Sequence, residues 1–426
     1  MRLTRDNGIT RGTTRDGGAG HRRARSQAKP TARRWRLACA LLAAVMTGAL
    51  GLATASARPL TPSAPHASAR PLTPSAPHVS ARPLTPPAPR TSTQPHRSAA
   101  ESRRRPAIYW GAVIGSQFTG VPAPYQMQPV TDFASRDAAG KAPSIVPMYQ
   151  AFEDCSATPC VPYAFPTSEF KNIRSYGAIP MVSWGSSSSQ DGENDVASDR
   201  HFTLKAIIDG KFNSLITAWA TEAKAFGHPF FLRFDWEMNG NWFVWGNATN
   251  ANTAREYVAA WRHVHNIFTR VGATNATWVW CPNNGNAKGS IANLASFYPG
   301  NAYVNWTCTD VYSYGKHSGR SAGSWNALAG PTYQAISRLA PHKPMMVGEF
   351  NAASAGGSQP SWLSSVLAEI PNAYPKIHAV ILFDTFRQWE LEDHPASVTA
   401  FAKGIRRAVY APNHFAGLTG GPIKAL

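Results

Sequence analysis

The chain has 426 residues with 42 Lys or Arg against 24 Asp or Glu, a formal net charge of +18 that would suit a nucleic-acid partner. Its location excludes that reading. Residues 1–105 hold 19 of the basic and 3 of the acidic side chains, leaving 23 against 21 in residues 106–426, nearly neutral and without a basic stripe.

In chain order, an Arg- and Gly-rich stretch, 1–36, is followed by the uncharged apolar run Leu37 to Ala53 and by Ala55-Ser56-Ala57, small residues suited to a cleavage site. Residues 1–57 read as a long export signal peptide cut after Ala57, with Arg33-Arg34 a candidate twin-arginine element. An uncleaved membrane anchor is the alternative, although 17 apolar residues lie at the low edge of a bilayer span. Then ARPLTPSAPHAS, ARPLTPSAPHVS and ARPLTPPAPRTS follow one another at 57–68, 69–80 and 81–92. So many prolines and so few apolar side chains cannot offset ordering entropy, so 58–105 is expected to be an extended linker.

From residue 106 to 426 the texture is that of one folded domain. Strands are expected to begin near Ile108, Ser144, Ala178, Pro229, Ala276, Trp306, Pro344 and Ile377, spaced 30 to 51 residues apart, which leaves room for a helix between each pair. Helical spacing is visible in Ile216, Trp219, Ala220, Ala223 and Phe226, and again in Tyr257, Trp261, Val264, His265, Phe268 and Val271; 361–370 can form a third helix. Eight strands alternating with helices most simply close into an α/β fold of the (β/α)8 TIM-barrel class. A doubly wound open sheet is the alternative, and no Gly-rich phosphate loop follows any strand to support it.

Five cysteines become four once Cys39 leaves with the leader, and an even number in an exported protein suggests two disulfides. Cys155 and Cys160 enclose a four-residue loop and are expected to pair, which leaves Cys281 for Cys308. A zinc site would need a second cysteine pair or a His at ligand spacing, and neither is present.

Two glutamates carry the chemistry. Glu237 lies in Pro229-Phe-Phe-Leu-Arg-Phe-Asp-Trp-Glu-Met-Asn-Gly-Asn-Trp-Phe-Val-Trp-Gly246, where a strand-like run feeds into a carboxylate flanked by an Arg, an Asn and several aromatic rings. Glu349 ends a second such run, Lys343-Pro-Met-Met-Val-Gly-Glu-Phe350. In a barrel both strand ends reach the same face, and paired carboxylates among 14 Trp suit glycoside hydrolysis. That chemistry needs neither a metal nor an organic cofactor. Arg233 either orients these carboxylates or neutralises Asp235 or Asp310; Trp242 and Trp245 can both pack in the core, and sugar contact is expected for one of them. Trp110, Trp184 and Trp280 fit burial or the site equally, Asp310 is read as a structural hydrogen-bonding group, and Asp384 is open as a polar subsite contact.

The motif Arg-x-x-x-Glu-Met-Asn-Gly-x-Trp-Phe-x-Trp-Gly, running from Arg233 to Gly246, resembles glycoside hydrolase family 26, best known for β-mannanases. Gly210-Lys211-Phe212-Asn213, Trp278 to Asn283, Tyr298-Pro299-Gly300, Asp310-Val311-Tyr312, Pro344 to Phe350 and Gln388 to Leu391 extend the similarity over about residues 106–410. The resemblance implies Glu237 as acid/base, Glu349 as nucleophile, Tyr312 as a phenol bonded to the nucleophile, and Trp389 as a platform beneath the reacting sugar. The family usually carries a His immediately before the acid/base, where this chain has Trp236. That replacement removes a polar contact near the substrate hydroxyls. The implied activity is retaining hydrolysis of β-1,4 bonds in a mannan-type polysaccharide by a secreted monomer, free of the membrane once its leader is cut. Mixed-linkage β-glucanase and β-1,3-xylanase activities are the alternatives within the family, and a non-catalytic carbohydrate-binding protein the alternative outside it.

Overall fold

The computed structural model describes residues 106–189, 200–247, 249–285, 293–315, 322–355 and 358–426. The expected leader and repeat linker lie outside the described residues. Among those described, no helix is long and apolar enough to cross a membrane.

All eight expected strands form: β1 (Tyr109–Ile114), β2 (Ile145–Asp154), β4 (Ile179–Ser188), β5 (Phe230–Phe234), β6 (Ala276–Trp280), β7 (Trp306–Ser313), β8 (Met345–Ala352) and β9 (Ile377–Asp384). A two-residue strand that the sequence reading did not foresee, β3 (Val161–Pro162), pairs antiparallel with the end of β2. The other eight are parallel in the order β1-β9-β8-β7-β6-β5-β4-β2, and β1 pairs with β2 to close the barrel. Closure excludes the open doubly wound sheet. At the seam Gly111 faces Ile145, and a Cβ on it would lie 2.4 Å from the Ile145 carbonyl oxygen, so a larger residue would push the two strands apart.

Strand residues read as almost continuous apolar runs because both faces of a parallel sheet are covered, inside by barrel side chains and outside by helices. The helices Asn213–Phe226 and Ala254–Val271 bury the stripes that their spacing predicted, including Ile216, Trp219 and Phe226 on the first and Tyr257, Trp261, Val264 and Phe268 on the second. The second starts at a reciprocal cap between Thr253 and Glu256 and ends at Gly272, whose φ of 80° suits glycine. The helix expected over 361–370 spans Gln359–Ala373.

Below the barrel, the C-terminal segment folds across the floor. Trp306 Nε1 donates to the Ile423 carbonyl at 2.8 Å, and the Ile423 amide donates to Thr277 Oγ1 at 2.8 Å. Both disulfides join the expected partners, Cys155 with Cys160 and Cys281 with Cys308. The second ties the end of β6 to β7, directly beneath the functional face.

Candidate active site

Glu237 is aimed by a distorted turn after β5. Asp235 and Glu237 have φ values of 40° and 53°, left-handed conformations that cost a non-glycine residue about 1–3 kcal/mol each. Hydrogen bonds on every side hold them there. The Asp235 carboxylate accepts from the Ser186 amide and hydroxyl, both at 2.8 Å. Trp245 Nε1 donates to the Trp236 carbonyl at 2.7 Å, and the Glu237 amide donates to the Cys281 carbonyl at 2.7 Å.

The Glu237 carboxylate accepts from Asn283 Nδ2 at 2.5 Å on Oε1 and from Trp242 Nε1 at 2.6 Å on Oε2. Asn283 is itself fixed by Asn239, which accepts from its amide at 2.9 Å and donates to its carbonyl at 2.9 Å. Burial and the neighbouring Glu349 charge push the Glu237 pKa up to about 7, against the opposing pull of Asn283, Trp242 and Arg233. It therefore holds a proton close to neutrality.

Glu349 is aimed by a bulge. Between β7 and β8 the register runs from Thr309↔Val347 to Asp310↔Glu349, so Gly348 is the extra residue and turns Glu349 into the barrel. Gly348 also leaves space. A Cβ there would stand 2.7 Å from Asp310 Oδ1 and 2.8 Å from Arg233 Nη1. On the carboxylate, Tyr149 donates to Oε1 at 2.7 Å, Arg233 Nη2 donates to the same oxygen, and Tyr312 donates to Oε2.

Arg233 organises the floor. Its Nε donates to Ser183 Oγ at 2.8 Å, and its Nη1 reaches both oxygens of Asp310 at 2.9 Å. Of its alternative roles, it fulfils two, orienting Glu349 and neutralising Asp310, while Asp235 is served by Ser186. Single carboxylate oxygens of Glu237, Asp310 and Glu349 lie within 4.8 Å of one another. Arg233 is the positive charge that lets this buried acidic group exist. We expect Arg233→Met to cost roughly 3–5 kcal/mol of stability at neutral pH, because it strands two buried carboxylates without a cation. Urea unfolding measures this; a loss below about 1 kcal/mol would mean that Arg233 is dispensable to the fold.

Residues 181–390, which include both glutamates, match the profile of glycosyl hydrolase family 26. That segment belongs to the family. The chain is 32% identical over 255 residues to Endoglucanase H of Acetivibrio thermocellus, a match covering 56% of this chain and 26% of that protein. It is 34% identical over 87 residues to Mannan endo-1,4-beta-mannosidase A and B of Caldalkalibacillus mannanilyticus, covering 19% of this chain and 16% of that protein. The chain thus spans only a minor part of the length of these curated relatives. In fold it resembles the catalytic domain of the GH26 endo-β-1,4-mannanase of Bacillus sp. JAMB-750, with a TM-score of 0.55, 19% identity, and coverage of 75% of this chain and 92% of that one.

The remaining expected site residues fall in different places. Trp242 is half-buried and holds Glu237. Trp245 is 1% exposed and stacks on Phe243, so it is the core member of that pair. Trp236 packs against Tyr149, Phe243 and Trp245, with the Arg233 guanidinium 5.1 Å from its ring centre. Trp389, expected as the platform beneath the reacting sugar, is buried. Its carbonyl accepts from Asn351 at 2.7 Å, and its ring lies against Tyr312 and Tyr314. Trp110, Trp184 and Trp280 are buried in the core. Asp384 accepts from the Leu391 amide at 3.0 Å and secures the segment that leads to Trp389 from below.

Tyr149 and Asn283 were not foreseen in these roles. The sequence signal was a polar side chain midway along β2 for Tyr149 and, for Asn283, its place at the end of the Trp278 to Asn283 run that carries part of the resemblance.

Proposed function

We propose that the chain is a retaining endo-β-1,4-glycosidase acting on mannan-type polysaccharide. The observation that carries this reading is the separation of Glu237 and Glu349, with carboxylate oxygens within 4.8 Å. Retaining enzymes hold their carboxyl groups about 5–5.5 Å apart, whereas inverting ones leave about 6.5–9.5 Å for a water. Glu237, with its pKa raised to about 7, is the acid that protonates the glycosidic oxygen. Glu349 is the nucleophile, and the glycosyl-enzyme is then hydrolysed by water that Glu237, now a carboxylate, deprotonates. A binder that only holds sugar has no use for two carboxylates so placed.

Mannan is favoured by the motif from Arg233 to Gly246 and by the similarity to a mannan endo-1,4-beta-mannosidase. A β-glucan is the second reading, because the longer match is to a protein named an endoglucanase and because Trp236 stands where the family usually has His. Two disulfides fit an exported protein, and we propose secretion through the expected leader, with residues 58–105 as a spacer. The polysaccharide is the only partner this reading requires, and a monomer suffices.

Comparing kcat/KM on mannohexaose, a mixed-linkage glucan oligosaccharide and a β-1,3-xylan oligosaccharide tests the substrate. Mannohexaose is expected to be the best of the three. A preference above about tenfold, or 1.4 kcal/mol, for either of the others overturns the mannan reading and leaves the two-carboxylate chemistry standing. Absence of turnover on all three removes the enzyme reading.

A further inference from the structure

Resting on the proposed role of Glu349 as nucleophile, we infer that its Oε2 is the attacking atom and that Tyr149 is the positioning residue that reserves it. An ionised carboxylate has about four lone-pair directions, two on each oxygen. On Oε1 both are taken, one by the Tyr149 hydroxyl at 2.7 Å and the other by Arg233 Nη2. Among the described residues only Tyr312 donates to Oε2, which leaves one lone pair of that oxygen for attack.

Tyr149 is itself held in place. Arg233 Nη2 lies 3.4 Å from its hydroxyl, the Arg233 guanidinium stands 5.7 Å from its ring centre, and the Trp236 ring packs against it at 5.5 Å. A hydroxyl held this way contributes direction as well as charge compensation. Trp236 thereby has a packing role, walling the Tyr149 ring from behind.

The covalent step then has a defined geometry. The free lone pair of Oε2 forms the bond to the anomeric carbon, and the bond from that carbon to the glycosidic oxygen breaks. Its electron pair stays on the departing oxygen, which takes the Glu237 proton. In the ester that results, Oε2 is the bridging oxygen and Oε1 the carbonyl oxygen, still bonded to Tyr149 and Arg233. Negative charge returns to the carboxylate when water cleaves the ester, so the Tyr149 hydroxyl stabilises that charge in the second half-reaction, while in the first it acts by fixing the direction of the attacking oxygen.

The test is covalent labelling of the full chain by 2,4-dinitrophenyl 2-deoxy-2-fluoro-β-mannobioside, with the corresponding cellobioside as a second probe, followed by intact mass and peptide mapping. In wild type, Glu349 is labelled. In Tyr149→Phe, which removes one oxygen and keeps the ring, the maximal labelling rate is expected to fall about 10- to 100-fold and recovery from the labelled form to slow in parallel, the cost of one hydrogen bond to a charged group. The inhibition constant should stay within threefold, and thermal unfolding should show the variant folded. Tyr149→Met serves the same comparison if the Phe variant does not fold. A labelling rate within twofold of wild type, or a loss confined to the inhibition constant, overturns the inference about Tyr149. Failure of wild type to label at Glu349 with either probe overturns the proposed mechanism along with it.

Discussion

Replacement of Glu349 by Ala is expected to lower kcat by about 10⁴- to 10⁶-fold, the range seen when a nucleophile is removed from an otherwise intact site. That corresponds to about 5–8 kcal/mol of lost transition-state stabilisation. The fold should survive, because Arg233 keeps its paired bonds to Asp310 at 2.9 Å and its bond to Ser183 at 2.8 Å. Azide gives the diagnostic result. It fits the space left by the carboxylate, attacks the anomeric carbon from the same side, and should restore turnover with an α-glycosyl azide as product. A variant with wild-type activity would remove Glu349 from the mechanism, and a β-configured azide would overturn the assignment of its face.

Loss of Glu237 is expected to depend on the leaving group. Glu237→Ala should be slower by about 10²- to 10⁴-fold on an oligosaccharide, whose departing oxygen needs a proton, and far less affected in the first step with a dinitrophenyl glycoside, which needs none. The pH dependence follows from the same group. Its pKa is raised to about 7, so kcat/KM on the oligosaccharide should fall as pH rises through about 7, and that limb should vanish in the variant. Stability shares the sign. A carboxyl whose folded pKa exceeds its ordinary value stabilises the fold fully below about 4.5, and that contribution is lost as pH rises through about 7. Glu237→Gln should therefore flatten the decline in unfolding free energy between those two values. A basic limb that persists unchanged in Glu237→Ala would assign it to another group.

Several features of the molecule are legible in its sequence. The eight strands could be read because each is a short apolar run set off by turns, and the helices because their buried stripes recur at helical spacing. Cysteine parity and one short loop sufficed for both disulfides. The two glutamates could be located because the residues that surround each of them are consecutive in the chain.

Other features depend on residues that meet only across the barrel. Tyr149 on β2 lies 200 positions from Glu349, and Asn283 lies 46 from Glu237, so no local pattern links either to its carboxylate. Trp242 and Trp245 look interchangeable along the chain, yet one turn sends the first to the acid and the second into the core. Trp389 reads as a platform beneath the reacting sugar, and the rings of Tyr312 and Tyr314 that pack against it are visible only in the fold. Sequence by itself determined which segments become strands, which faces they bury and which carboxylates stand at their ends, because these follow from periodicity and local turn chemistry. Only the tertiary structure decided which donor meets which oxygen, because closing the barrel brings distant strands to hydrogen-bonding range, and that contact is set by register and the bulge at Gly348.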